Sequence, residues 1–257
     1  MLNHEIKEIW EGDAKVYDEG IKKTLNEGKS EKEQWADLIL SYAPHEGPLE
    51  ILDCGTGPGF FPVILGERGH HVTGIDLTEN MIKEAEENVK NAGVEASLRV
   101  MDCQETDFAD AAFDMVISRN ITWTLSDPEK AYREWKRILK PGGRLLIFDG
   151  NYYLHLFDAV RMKKFTELDE RMRAERGRGI FSHNGKEDTF AGISKDLFMS
   201  SKDRPAWDLA YLTELSFTKV FSIPDIRTML PAEQEQEDEL DRELHAFMPL
   251  FLVGAEK

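Results

Sequence analysis

The 257-residue sequence predicts an α/β fold, a doubly wound, mostly parallel sheet of seven strands, on two observations. Between residues 49 and 149, short runs rich in Leu and β-branched residues alternate with charged stretches of helical period, the pattern of a parallel sheet covered on both faces. Two more strand-like runs near the end, 218–223 and 249–256, supply a last hairpin with one antiparallel strand.

The first 45 residues read as helical, because Ile6, Ile9 and Trp10, then Trp35, Leu38, Ile39 and Tyr42, recur at spacings of three and four. Gly47-Pro48 breaks that pattern. LEILDC (49–54) is the first strand and runs into a glycine-rich turn. HVTGID (71–76) precedes a helix over Glu79–Ala92, LRVMD (98–102) precedes an acidic link, and FDMVIS (113–118) precedes a helix over Pro128–Leu139. Ser126-Asp127-Pro128-Glu129 marks that helix start with a capping oxygen, a first-turn proline and a glutamate three residues after the serine. Lys140-Pro141-Gly142-Gly143 ends it and turns the chain into GRLLIFD (143–149). A helix over Tyr152–Arg176, a polar loop over Gly177–Lys186 and a stretch rich in Phe, Met and Ser follow. TKVFSI (218–223) and PLFLVGAE (249–256) flank an acidic segment at 233–243. The expected organisation is a helical lid segment (1–45), a core (46–150), an insertion completing the lid (151–215) and the last strands (216–257).

With 32 Lys+Arg against 49 Asp+Glu, the net charge of -17 argues against nucleic acid and anionic membrane surfaces as partners. Charges throughout residues 5–13 leave no apolar signal-peptide core. No apolar run reaches the ~18 residues of a spanning helix. Two cysteines, Cys54 and Cys103, are too few for a disulfide scaffold or a four-cysteine zinc site. The expectation is a reduced, cytoplasmic protein without a metal, monomeric or homodimeric. Residues 161–178 hold seven Lys/Arg against four Asp/Glu, a locally basic entrance at the proposed lid that could attract an anionic acceptor, although a solvated helix face is the simpler reading.

Asp53-Cys54-Gly55-Thr56-Gly57-Pro58-Gly59 lies between a strand and a helix, where glycines let the backbone turn sharply against a ligand. Asp76 ends the second strand about 20 residues on, where a carboxylate can accept both hydroxyls of a ribose. Asp102 ends the third strand, where it could meet an adenine amino group. All three stand on the crevice side of an open sheet.

In ILDCGTGPGF (51–60), GIDLTENMI (74–82), MDCQETDF (101–108), FDMVISRN (113–120) and DPEKAYREWKRILKPGGRLLIFD (127–149), the chain resembles the class I S-adenosylmethionine-dependent methyltransferases, in order and spacing over about residues 49–149. The resemblance implies a Rossmann-like fold, S-adenosylmethionine as cofactor, S-adenosylhomocysteine as product and methyl transfer to a small-molecule acceptor. It places Asp53, Cys54, Gly55, Thr56 and Gly57 around the methionine part, Asp76, Leu77 and Met81 at the ribose, and Asp102 and Cys103 at the adenine. Ser118 and Arg119 line the methionine side, and Tyr17, in WEGDAKVYD (10–18), matches an aromatic that closes over the cofactor.

On the acceptor side the chain departs from the family. Thr122-Trp123-Thr124 replaces a Leu-His-His-like run, and the runs associated with nucleobase methylation are absent. Trp123, Asn151 and Tyr152 are the candidate acceptor contacts. Tyr152 and His155, and less so Tyr153 and Asp149, are the candidates for a base, though His155 and His183 read more readily as surface or helix-face residues. Two rivals share the core pattern: a non-catalytic cofactor-binding protein and a nicotinamide-dependent oxidoreductase. The second requires glycine or alanine where the chain has Phe60.

Overall fold

The computed structural model describes residues 2–182, 187–231 and 237–257. Its centre is one seven-stranded sheet in the order β3-β2-β1-β4-β5-β7-β6. The strands are β1 (Glu50–Cys54), β2 (His71–Asp76), β3 (Ala96–Val100), β4 (Phe113–Arg119), β5 (Leu139–Asp149), β6 (Thr218–Ile223) and β7 (Phe251–Glu256). The first five run parallel, and β7 lies antiparallel to both β5 and β6. From β1 the chain winds one way through β2 and β3, then returns to β4 and winds the other way. Cys54 pairs with Ile75 on one side and with Ser118 on the other. The crevice of an open α/β sheet opens where such neighbouring strands send their loops in opposite directions.

Because the side chains of a strand alternate between faces, each central strand feeds two cores. Leu52, Cys54, Val116, Leu145 and Ile147 pack towards α5 (Pro128–Ile138) and α7 (Ala206–Glu214). Ile51, Met115, Ile117, Leu146 and Phe148 pack towards α2 (Lys29–Leu40) and α3 (Phe60–Gly66), where Trp35 is fully buried between Phe61 and Phe148. The helix α1 (Leu2–Glu27) lies along α4 (Glu79–Ala92), tied by Asn88 to Asp18 (2.8 Å) and by Lys22 to Glu84 (3.3 Å).

Four expectations shift. The third strand is Ala96–Val100 rather than 98–102: its register pairs Val100 with Asp76, so Asp102 stands free of the ladder, two residues beyond the strand. The cap of α5 is Asp127, which accepts the Lys130 N–H at 2.8 Å; Ser126 instead donates to Asn3 at 2.9 Å. The helix expected over 152–176 is divided, a short 3₁₀ turn at Leu154–Phe157 followed by α6 (Ala159–Arg176), because Asp158 is extended and caps the Arg161 N–H. The basic stretch on α6 is no open basic entrance. Lys164 and Arg171 pair with Glu243, and Arg176 with Asp238 and Asp241, at the acidic start and face of α8 (Glu239–Phe247). His183 and residues 233–236 of the acidic segment lie outside the described residues. Among the described residues no helix is long and apolar enough to cross a membrane.

Candidate active site

The loop after β1 passes directly beneath the loop after β4. Gly55 takes φ +71°, and a Cβ there would stand 2.3 Å from Ile121, so only glycine permits this approach. The Gly55 and Thr56 amides both donate to the Ile75 carbonyl (2.8 and 2.9 Å), which carries the β1–β2 pairing into the turn. The result is a cleft of about 980 Å³ counting the solvent space of its open mouth.

Three carboxylates line it. Asp53 is buried and accepts the Thr56 hydroxyl at 2.7 Å. Burial pushes its carboxyl up to about 7, against the pull of Thr56 and of the Arg119 guanidinium. Arg119 lies over the rings of Phe60, Trp35 and Phe61 at 4.6–5.1 Å, which fixes it on the floor of the cleft. Asp76 is also raised by burial, offset by the Thr78 amide and hydroxyl and the Gly57 amide that it accepts at 2.8–3.0 Å. Those bonds clamp the glycine loop to the end of β2. Asp102 accepts the Gln104 amide at 2.9 Å and the Asn3 carboxamide at 3.2 Å, so α1 closes the third corner.

A second chamber opens on the far side of Trp10, Tyr17 and Asn120, which line both spaces. Its walls are mostly rings: Trp123 meets Phe190 at 4.8 Å, Tyr152 at 5.3 Å and Tyr153 at 5.7 Å, and Trp10 meets Tyr17 at 5.3 Å. The Tyr152 hydroxyl donates to the Asn120 side chain at 2.8 Å. Burial holds that hydroxyl well above its ordinary value, so it is a donor and no base near neutral pH.

Behind this wall sits a buried ion cluster. Arg204, 1% exposed, pairs with Asp149 (3.0 Å) and Asp208 (2.8 Å), both fully buried. Asp149 accepts the Trp123 amide at 3.0 Å as well as the Thr122 hydroxyl. The cluster thereby fixes the turn that carries Trp123, and Asp149 is committed to it.

Of the residues assigned to the cofactor, Tyr17, Asp53, Gly55, Thr56, Gly57, Asp76, Leu77, Met81, Asp102, Cys103 and Arg119 line the first cleft. Cys54 and Ser118 do not: strand alternation turns Cys54 into the α5 core, and Ser118 is buried, 1% exposed. Burial raises both thiols, leaving them protonated. Trp123 and Tyr152 line the chamber, whereas Asn151 is turned away and donates to the Arg204 carbonyl at 2.6 Å. His155 lines neither space; it stacks on Phe165 at 3.8 Å, and burial lowers its basicity. The sequence reading missed Asn3, Ile6 and Trp10. Trp10 stands seven residues before Tyr17, two helical turns along the same face, and that spacing was the available signal. It also missed Arg227, His245 and Leu250, which reach the chamber from the segment assigned to the last strands. Among the described residues no group of three or more His, Cys, Asp or Glu is placed to hold a metal ion.

A 3-2-1-4-5-7-6 sheet with one antiparallel strand, and acidic side chains at the ends of β1 and β2, defines the Rossmann-like fold of the class I S-adenosylmethionine-dependent methyltransferases. Residues 52–147 match the family model described as a methyltransferase domain. The Bacillus subtilis protein YqeM, whose name marks it provisionally as a methyltransferase, is 31% identical over 166 residues, 63% of each chain. Malonyl-[acyl-carrier protein] O-methyltransferase of Erwinia pyrifoliae is 33% identical over 131 residues, 48% of this chain and 46% of the relative. The chain thus spans less than two thirds of these relatives. Among solved structures, phosphoethanolamine N-methyltransferase 2 of Haemonchus contortus, in complex with phosphomonomethylethanolamine and S-adenosylhomocysteine, aligns with a TM-score of 0.58 at 18% identity. The alignment covers 88% of this chain and 52% of that one, and it establishes likeness of fold.

Proposed function

We propose that the protein transfers the methyl group of S-adenosylmethionine to a small-molecule acceptor held in the aromatic chamber. The observation that carries this reading is the shared wall of Trp10, Tyr17 and Asn120 between a carboxylate-lined cleft and a ring-lined chamber. The residues present fit the cofactor: a buried anionic position at Asp53 for an ammonium, Asp76 for a ribose diol, and Asp102 beside Gln104 for an adenine amino group. When bound, the cofactor supplies a sulfonium whose methyl carbon is electrophilic.

The chain's own contribution is positional. Asp76 orients the ribose while clamping the glycine loop, Arg119 and Asp53 set the charge at the methionine end, and α1 closes the cleft through Asn3. Segments 1–45 and 151–215 act as the lid, Trp10, Tyr17 and Trp123 excluding water. Holding two reactants in line in this way supplies up to ~7–11 kcal/mol of barrier lowering. Neither His155, away from both spaces, nor Asp149, paired with Arg204, is placed to take a proton.

Titration calorimetry with S-adenosylmethionine and S-adenosylhomocysteine tests the first half of the proposal. Micromolar binding is expected, and the absence of heat with wild-type protein overturns it. Incubation with methyl-labelled cofactor and a fractionated metabolite extract tests the second half, because tight binding with no labelled product would mark a non-catalytic binder.

A further inference from the structure

Resting on the reading of the chamber as the acceptor site, we propose that its acceptor is a small aliphatic amine, methylated on its uncharged nitrogen. The chamber is walled by the rings of Trp10, Tyr17, Trp123, Tyr152, Tyr153 and Phe190, several of them 4.8–5.7 Å apart, and the first two also border the cofactor cleft. The face of an aromatic ring carries partial negative charge, and each well-placed ring favours a cation. The ionisable lining points the same way. Asp13, Asp188 and Glu237 stand beside one arginine, Arg227, whose guanidinium is held by Asp225, and one histidine, His245, whose ring nitrogen lies 2.7 Å from Glu237.

The electron count decides between acceptor classes. With a neutral amine, the nitrogen lone pair forms the new N–C bond while the S–C bond breaks and its electron pair stays on sulfur. One positive charge enters on sulfur and leaves on nitrogen, as an alkylammonium with one more methyl. Walls that favour a cation hold that charge throughout and favour its arrival on nitrogen. With a phenolate, enolate or thiolate the positive charge is annihilated by an anion, which the same walls would repel. An amine that is protonated in solution gives its proton to water at the open mouth before its lone pair is available. Asn120 borders both spaces, and its side-chain oxygen, which accepts the Tyr152 hydroxyl at 2.8 Å, has a second lone pair for an acceptor N–H. That contact would aim the nitrogen at the shared wall.

The test uses an unreactive pair of probes, a trimethylalkylammonium and its uncharged tert-butyl isostere. Each is titrated into the wild-type protein saturated with S-adenosylhomocysteine, with tryptophan fluorescence as the readout. The cation is expected to bind at least tenfold more tightly than the isostere and to lose at least tenfold in Trp123→Leu, judged only if that variant still binds S-adenosylhomocysteine. Equal binding of the two probes, or binding of neither, overturns the amine assignment and leaves the methyltransferase reading intact. Failure of S-adenosylhomocysteine itself to bind overturns that underlying reading instead. With labelled cofactor, label is expected on monomethyl and dimethyl alkylamines; label on phenols or thiols and none on amines overturns the proposal on its own.

Discussion

The cofactor cleft and the aromatic chamber touch along one wall, yet they are built by opposite means. The cleft comes mainly from residues 53–125 at the ends of adjacent parallel strands, where the sheet register sets every position and α1 adds a cover. The chamber gathers α1, the turn after β4, residues 152–153, 180–181 and 188–190, and the side chains of Arg227, Glu237, Leu244, His245, Met248 and Leu250, none of them placed by the sheet ladder. A ligand that every relative shares can be held by backbone geometry. One that differs between relatives has to be held by packing of inserted segments, which can change without disturbing the sheet.

The strongest test of this division is at Arg204, which lies behind the turn that carries Trp123. It comes from the stretch between α6 and α7, is 1% exposed, and satisfies Asp149 of the core strand β5 and Asp208 of α7. Replacing it in Arg204→Met leaves two buried carboxylates without their cation, a change of ~3–5 kcal/mol against folding. The urea midpoint should fall accordingly, with Arg204→Lys losing less. If the regions are separable, the folded fraction of Arg204→Met keeps its affinity for S-adenosylhomocysteine, since the cluster touches Thr122 and Trp123 and not the glycine loop. Parallel loss of cofactor binding would show that the chamber wall supports the cleft as well.

A smaller effect, confined to the cleft, is expected from Asp76→Ala. That change removes charge-assisted bonds to a ribose and also releases the Gly57 amide from its clamp, together worth ~2–3 kcal/mol or roughly 30- to 150-fold in Kd. Calorimetry with S-adenosylhomocysteine measures it. A change under threefold would remove Asp76 from the site.

The same division governs what the sequence discloses. Strand period, the glycines at 55, 57 and 59, and acidic residues at strand ends are local patterns, so β1, β2, α4 and most cleft residues could be placed by counting. The failures in the core are failures of pattern against register. Cys54 and Ser118 border cleft residues in sequence, but strand alternation turns them into the interior, and β3 begins two residues early because its pairing to Asp76 overrides its composition. In the chamber nothing local signals proximity. Asn151, an acceptor contact by its place in the sequence, is bonded to Arg204, 53 residues away, while Arg227 and His245 arrive from the segment assigned to the last strands. Ring contacts such as Trp123 to Phe190, at 4.8 Å, exist only once the insertion has folded back.

The mildest perturbation sharpens the comparison most, because pH acts on the cleft through Asp53 without a mutation. Burial raises this carboxyl from 3.8 to about 7, so the folded protein holds the proton more tightly than the unfolded chain does. Its contribution to stability is therefore fully present below 3.8 and is lost as pH rises through about 7. Binding runs the other way. An ammonium placed beside Asp53 requires the carboxylate, so cofactor affinity should fall as pH drops below about 7, approaching at most ~tenfold per unit, or ~1.4 kcal/mol. Proton release on binding, read by calorimetry in two buffers of different ionisation enthalpy, should accompany it near pH 6. In Asp53→Asn both the slope and the proton release should vanish, while the fluorescence response of the chamber to a trimethylalkylammonium stays as it was. A slope that survives Asp53→Asn would assign the titration to another group, with Asp76, also raised by burial, the next to replace.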